Sequence, residues 1–441
     1  MEASARIAFV SSALVTSIAL GTSTARFYPI PNADGVPLPT PNGCAITGFN
    51  GLYGVRVSGD GRTVAAVGYI PSSTSGSWRP VRWTVATGSI AIAPDIEVET
   101  GELLYGIMGL SNDGSVVWGA NWRWSQASGF ENLTNLTRPP GDPFQTKIFF
   151  GCDDAGTTAV GTVGVFPLAT DIFTWNIDAE PAPTRRPLDN ADFPLGGSFF
   201  AAISGDGTTL AGGARTEDDI FAPTRPRGFT PAVWLPNQAF GQNLFPALDQ
   251  GVTWDISRTG AVGVGSLTGF PQRPFTWTPA QGVTFLPIDP PGASDSAAAY
   301  AVSQDAGIIV GGRVNFGQPG SRAVYWDDSG YNDLTNVLVT RFGLGNVLAG
   351  WRLELAVDVS HDGRTIVGEG INPQGCRQSW AVVFSDSCPA DFNSDGQVDF
   401  FDYLDFAQAF GTDDASADFN ANGQVDFFDY LDYVAAFDRG C

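Results

Sequence analysis

Two twelve-residue stretches near the C-terminus carry oxygen-bearing side chains at matching intervals. Residues 391–402 read Asp-Phe-Asn-Ser-Asp-Gly-Gln-Val-Asp-Phe-Phe-Asp, and residues 418–429 read Asp-Phe-Asn-Ala-Asn-Gly-Gln-Val-Asp-Phe-Phe-Asp. The offset is 27 residues, and residues 396–405 and 423–432 are identical. A loop of this length supplies six to eight hard oxygens to a calcium ion from its positions 1, 3, 5, 7, 9 and 12. In the first stretch these are Asp391, Asn393, Asp395, the Gln397 carbonyl, Asp399 and Asp402. In the second they are Asp418, Asn420, Asn422, the Gln424 carbonyl, Asp426 and Asp429. Gly396 and Gly423 stand at position 6, where such a loop turns sharply. One loop could arise by chance in an Asp-rich segment; two in full register argue for a pair of Ca2+ sites.

The elements that must hold these loops can be read around them. Val398 and Val425 fall at position 8, where an apolar side chain points into a small core, and an aromatic-rich helix follows each loop. No helix can precede the first loop, because Cys388-Pro389-Ala390 comes directly before it. Position 12 is Asp rather than the Glu of an ordinary EF-hand. Two loop–helix repeats without an entering helix resemble type I dockerins. The opening Cys-Pro-Ala-Asp-Phe-Asn (388–393) and closing Gly440-Cys441 resemble the planctomycete variety in particular. The resemblance covers residues 388–441. It implies a small α-helical domain that folds with calcium and docks to a cohesin-like partner through loop positions 10 and 11, here Phe400, Phe401, Phe427 and Phe428. Duplicated helices would then offer two equivalent faces, an idea that burial of all four rings would defeat.

Charge separates this tail from the rest. The 441-residue chain has a net charge of −23, with Lys147 its one Lys and His361 its one His. Twelve Asp against Arg439 place about −11 of that total in residues 388–441, a density that must be solvated or neutralised by a cation. With no basic patch to neutralise phosphates, nucleic-acid binding is disfavoured. At the other end, Arg6, the apolar run 7–20 and the small residues Ser23-Thr24-Ala25 read as an export leader, residues 1–25. No other stretch is apolar and long enough to span a bilayer, so the mature chain is expected to be secreted or attached to a bacterial surface. Export permits disulfides among Cys44, Cys152, Cys376, Cys388 and Cys441. A Cys388–Cys441 bridge would staple the acidic tail, Cys44 and Cys376 could close the region before it, and Cys152 would be left over; spacing alone does not prove the pairing.

Residues 26–386 repeat a phrase: apolar, Ser, any, Asp, Gly, four residues, then Gly. Its serines are Ser58, Ser111, Ser204, Ser257, Ser303 and Ser360, with a degenerate copy starting at Asp153. Two copies depart from the phrase, with Thr259 in place of Asp and Ala306 in place of Gly, and the first copy has Ala66 where the closing Gly belongs. The successive spacings are 53, 42, 51, 53, 46 and 57 residues, the period of a propeller or solenoid array. Asp-Gly signals a tight turn between strands, and a Trp follows in each unit: Trp83, Trp124, Trp175, Trp234, Trp277, Trp326 and Trp380. No amphipathic helix stands out before residue 388. The expected fold is therefore all-β, a β-propeller of about seven blades with the small helical domain (387–441) behind it; a sandwich pair or β-helix is the alternative. The units resemble HAF-type extracellular repeats of bacterial surface proteins, a likeness that implies no activity.

Catalytic constellations are hard to find. A Ser nucleophile needs a nearby base, and His361 lies inside a turn phrase, where an exposed loop position is expected. Asp60, Asp113, Asp206, Asp305 and Asp362 recur at equivalent positions in successive units, whereas an active site is normally built once. Glu97, Glu99, Glu102, Glu217, Asp218 and Asp219 could supply a glycosidase pair, but no spacing selects any of them. Sialidase propellers carry a Ser-x-Asp-x-Gly-x-x-Trp box that this chain lacks. No zinc-spaced cluster or phosphate loop is present. The sequence thus points to a non-enzymatic binding or display protein, its propeller taking a carbohydrate or protein ligand and its tail held by a cohesin-like partner. The alternative is a polysaccharide hydrolase or lyase docked by the same module.

Overall fold

Each copy of the Ser-x-Asp-Gly phrase closes a hairpin between the first two strands of an antiparallel sheet, and there are seven such sheets. The computed structural model describes residues 23–31, 54–70, 77–94, 96–97, 106–134, 146–164, 170–180, 182–186, 198–215, 229–236, 238, 241–245, 250–268, 271–288, 296–313, 320–386, 390–393, 398–420 and 424–439. Residues 26–383 form one unit, and residues 384–441 together with 1–25 form a second.

The first unit is a seven-bladed β-propeller. The first strands of blades 1 to 7 are Val55–Val57, Ile107–Leu110, Thr146–Cys152, Ser198–Ile203, Gly251–Ile256, Ala297–Val302 and Arg352–Val359. Blade 7 takes its fourth strand, Ser23–Pro29, from the far end of the chain. The Ile30 amide donates to the Ser379 carbonyl at 3.0 Å, and Gln378 Nε2 donates back to the Ile30 carbonyl at 3.0 Å. The last three residues of the expected leader belong to this strand; its other residues lie outside those described.

Apolar clusters bridge neighbouring blades. Val160 and Ile172 of blade 3 pack with Leu210, Ala232 and Trp234 of blade 4, and Val55, Val64 and Trp83 of blade 1 pack with Val357, Val367 and Ala381 of blade 7. The expected Trp residues all stand on third strands, and all are buried except Trp124, which is half-buried beside the fully buried Trp118 and Trp122. Such large rings fill the wedge between twisted sheets.

The turns explain why the phrase repeats. Each serine is fully buried. In the four copies with Asp-Gly, and in blade 6, Ser Oγ donates to the Asp carboxylate at 2.5–2.9 Å and accepts an amide five residues on at 2.9–3.0 Å. In blade 3, Asp153 replaces Ser and accepts the Thr157 and Thr158 amides itself. The closing glycines have a different cause. Gly161, Gly265, Gly311 and Gly368 each face an inner-strand carbonyl that an added Cβ would meet at 1.9–2.3 Å, because the inner strand bulges there. Blade 1 has no bulge opposite Ala66, which is why this copy tolerates a Cβ.

One helix before residue 388 was not expected. Helix α1 (Leu334–Thr340) is capped by Asp333, whose carboxylate accepts the Asn336 amide at 3.0 Å, and it buries Leu334 and Leu338 one turn apart. Seven residues are too few for a periodic pattern to stand out. Cys376 takes part in a disulfide whose other sulfur lies outside the described residues, and Cys152 is free. The Cys388–Cys441 pairing also lies outside them.

In the second unit, helices α2 (Phe400–Gly411) and α3 (Phe427–Arg439) pack through residues related by the 27-residue offset. Phe406 stacks on Tyr433 at 3.8 Å and 9°, Phe392 and Phe419 meet this pair edge-on, and the Tyr403 and Tyr430 hydroxyls join at 3.1 Å.

Ala306 occupies the turn position held by glycine in the other copies and adopts φ 59°. A left-handed Ala is disfavoured by about 1–2 kcal/mol. Ala306→Gly should therefore raise the propeller's stability in urea melts by roughly 0.5–1 kcal/mol, after the Gly entropy cost. An unchanged or lower midpoint would show that the turn relieves the strain.

Candidate functional site

The two loop ends are built alike. Asp402 and Asp429 are fully buried. Asp402 accepts the Asn393 amide at 3.0 Å and the Asp399 amide at 2.9 Å, one on each carboxylate oxygen. Asp429 does the same with Asn420 at 3.0 Å and Asp426 at 2.8 Å. Position 12 thereby ties positions 3 and 9 of each loop together. Asp399 and Asp426 also cap the following helices, accepting the Phe401 and Phe428 amides at 2.8 Å. The Asn420 amide, and after it the Asp426 amide, hold the Asp429 carboxyl below the usual range.

The donor set fits a hard cation: carboxylate, amide and main-chain oxygens, with no sulfur or imidazole. Asp395, Gln397 and Asn422 lie outside the described residues. Among the described residues no group of three or more His, Cys, Asp or Glu converges closely enough to hold a metal ion. The four expected contact rings are all exposed, Phe400 by 65%, Phe401 by 64%, Phe427 by 64% and Phe428 by 66%, and Leu404 and Leu431 are exposed beside them. Two identical apolar patches result.

The propeller holds a second site that the sequence did not single out. A cavity of about 150 Å³ lies on its axis and is lined by the first strands of all seven blades. The residue two places before the turn serine, or before Asp153 in blade 3, lines it in every blade: Arg56, Gly109, Gly151, Ala202, Asp255, Ala301 and Asp358. Asp255 Oδ2 accepts the Val302 amide of the next blade at 3.0 Å, and Asp358 Oδ2 accepts the Val57 amide at 3.1 Å. Burial pushes the Asp255 carboxyl up to about 7, helped by the charge of Asp358 and opposed by Arg56. Burial likewise raises Asp358, against the pull of Arg56. Both keep some accessible surface because they face the cavity. A signal existed: each is a charged residue flanked on both sides by apolar ones, Trp254 and Ile256 in one case and Val357 and Val359 in the other.

The turn residues between Ser and Asp close one end of this cavity. Arg258 Nε pairs with Asp154 Oδ2, and His361 Nε2 stands 3.8 Å from Asp154 Oδ1. His361 is therefore not an exposed loop residue: its side chain is 25% exposed and lines the axial cavity. The turn points inward, and burial pushes the imidazole towards its neutral form against the pull of Asp154. Gly59 and Gly205 leave the room these side chains occupy, since a Cβ on either would collide with His361 or Asp154. The buried turn serines have no imidazole partner and serve the turns. Elsewhere in blade 7, Arg377 bridges Glu354 at 2.8 Å and Glu369 at 3.4 Å, and burial raises Glu369 to about 7. Of the acidic residues considered for catalysis, Glu97 ends the short strand Ile96–Glu97 of blade 1, and Glu99, Glu102, Glu217, Asp218 and Asp219 lie outside the described residues.

Comparison with known proteins gives fold and nothing finer. Neither the protein-family models nor the curated proteins include a match. Among solved structures the chain is similar to the open-velcro β-propeller domain of the Trilobed protease from Pyrococcus furiosus, at 9% identity and TM-score 0.47, covering 76% of this chain and 94% of that one. It is similar to Kuenenia stuttgartiensis hydrazine synthase at 12% identity and TM-score 0.41, covering 77% and 98%. TolB from Acinetobacter baumannii gives 9% and 0.35, covering 73% and 80%. At such identities the likeness concerns architecture, and function must be argued from the sites. Among the described residues no helix is long and apolar enough to cross a membrane.

Asp255, Asp358 and Glu369 have carboxyl groups raised by folding. Between about pH 4 and pH 7 the folded chain therefore holds protons that the unfolded chain has released, and their contribution to stability is lost as pH rises. Asp255→Asn keeps an acceptor for the Val302 amide and removes the charge. Relative to the parent chain it should gain stability from about pH 5 to pH 8, on the order of 2 kcal/mol at the upper end. Melts of both proteins across that range check this, and parallel profiles would show that Asp255 titrates as an ordinary surface acid.

Proposed function

We propose that this chain is a secreted, non-enzymatic binding or display protein: a propeller that presents a ligand-binding surface, joined to a calcium-dependent dockerin-like module that docks to a cohesin-like partner on a bacterial surface or scaffold. The observation that carries the reading is the pair of exposed Phe-Phe-Leu patches, Phe400, Phe401, Leu404 and Phe427, Phe428, Leu431, each at the start of a helix that follows a loop of calcium-ligand spacing. Large apolar side chains grouped on a small domain mark interaction surfaces. The core has no use for them, since Phe392, Phe406, Phe419 and Tyr433 already fill it. The Asp residues around the patches favour a partner with an apolar seat and a basic rim.

Calcium would be held by Asp391, Asn393, Asp395, Gln397, Asp399 and Asp402 in one loop and by Asp418, Asn420, Asn422, Gln424, Asp426 and Asp429 in the other. Its charge offsets the repulsion among these carboxylates and fixes the loops from which α2 and α3 start. The leader-like composition of residues 1–25 and the disulfide at Cys376 support a compartment outside the cytoplasm.

Calorimetric titration of the full chain with calcium should reveal two binding events. Asp391→Ala should remove one, Asp418→Ala the other, and the double variant should lose helical circular dichroism while the propeller's melt is unchanged. Absence of binding in the parent chain would remove the docking assignment.

A further inference from the structure

We propose that the axial cavity of the propeller is a binding site for a small organic cation of the ammonium class. The repeat itself points to the residues responsible. Of the seven equivalent positions that line the axis two places before the turn, four are Gly or Ala, and only Arg56, Asp255 and Asp358 carry charge. A side-chain latch to the next blade is not a general need at this position, because Gly or Ala stands there in four of the seven blades, and the Asp358 junction is also tied by the His361 amide to the Gly59 carbonyl. The charged residues are departures from the array and require a cause of their own.

The cavity's charges do not cancel. Arg258 and Asp154 form a pair at its floor. His361 is pushed towards the neutral imidazole, and burial holds the Cys152 thiol and the Tyr300 phenol protonated. Once Asp255 and Asp358 have both ionised, above the raised range of Asp255 at about 7, that leaves two carboxylates against one guanidinium. Arg56 does not close on either: among the described residues it forms no ion pair, and its Nη1 is engaged by the Val55 carbonyl at 3.0 Å. An excess negative charge in a site of low dielectric is relieved by a proton or by a cation.

The remaining wall favours an organic cation. Trp254 and Tyr300 line the cavity edge-to-face, with centroids 5.9 Å apart, and a hydrogen bond from Trp254 Nε1 to Ser266 Oγ at 2.9 Å fixes the indole. Aromatic faces attract desolvated ammonium groups. A bare metal ion fits poorly, since the described residues offer no third carboxylate or imidazole close enough to complete a shell. A cavity of this volume holds a molecule of about six heavy atoms. The inference concerns the propeller and is independent of the calcium loops.

The test uses the full chain with tetramethylammonium as probe and tert-butanol as its neutral counterpart, followed by calorimetry and ligand-detected NMR. Tetramethylammonium should bind saturably at about pH 8 and about tenfold more weakly at about pH 5.5, as the carboxylates take up protons. Asp255→Asn and Asp358→Asn should each weaken it by about tenfold or more. Arg56→Met should tighten it, because the competing internal cation is gone, and this arm stands even if the Asp variants misfold. Equal binding of tert-butanol, indifference to Arg56→Met, or no saturable binding would overturn the proposal. A pH titration that shows proton uptake without probe binding would assign the excess charge to protons and overturn it as well.

Discussion

A propeller is a ring of sheets, each touching only its two neighbours, and its weak point is the axis, where seven hairpins must meet without a common core. Main-chain hydrogen bonds between successive turns solve this here. The Asp60 amide donates to Asn112, Asn112 to Asp154, Asp154 to Gly205, Gly205 to Arg258, Gln304 to His361 and His361 to Gly59, all at 2.8–3.1 Å. Six of the seven junctions are tied in this way. The Ser-x-Asp-Gly turn makes the belt possible by spending its serine and aspartate on internal bonds, so the intervening residue's amide and carbonyl are free to face the next blade. Loss of that geometry in one turn would leave two buried main-chain groups unpaired, a larger cost than one missing contact.

At the junction of blades 5 and 6 the described residues show no such bond between Arg258 and Gln304. There the Asp255 carboxylate reaches the Val302 amide of blade 6 instead. Asp358 makes the equivalent reach at the closing junction of blades 7 and 1, where the strand Ser23–Pro29 also completes the sheet. Among the described residues Asp255 thus stands at the one junction without a main-chain tie, whereas Asp358 adds a side-chain bond to a junction that His361 and Gly59 already tie. The structural part of both carboxylates engages Oδ2, and neither this nor the turn serines supplies an activated nucleophile. The recurrence of the serines, which could suggest catalysis, is fully explained by the turns.

Much of this architecture could be read from the chain. Seven phrases give seven blades, because an Asp-Gly turn, a β-branched strand and a Trp are local signals that survive repetition. The closing glycines were legible as close backbone approaches, although the inner-strand bulge behind them was not, since a bulge is a property of two paired strands and leaves no residue type as its mark. The place of His361 is hidden for a related reason: a turn residue normally faces solvent, and only ring closure turns these hairpins inward. Asp255 and Asp358 are hard to read from sequence, because a charge within an apolar strand reads as an edge or an interruption until seven strands share an axis. Helix α1 is too short to show a period, and its cap, Asp333, also serves the preceding strand.

The C-terminal unit carries its information differently. Duplication gives both copies the same residues, so any position needed in the core must be accommodated twice about a pseudo-two-fold relation. Phe406 with Tyr433, Phe392 with Phe419 and Tyr403 with Tyr430 satisfy that condition. The pairs Phe400-Phe401 and Phe427-Phe428 do not: a unit of this size cannot enclose four more rings, and each pair stacks only partly, on Tyr403 or Tyr430. Retaining the same two phenylalanines at the same exposed place in both copies costs solubility twice. Packing gives no return for that cost, and this is the physical support for the docking role proposed for these rings.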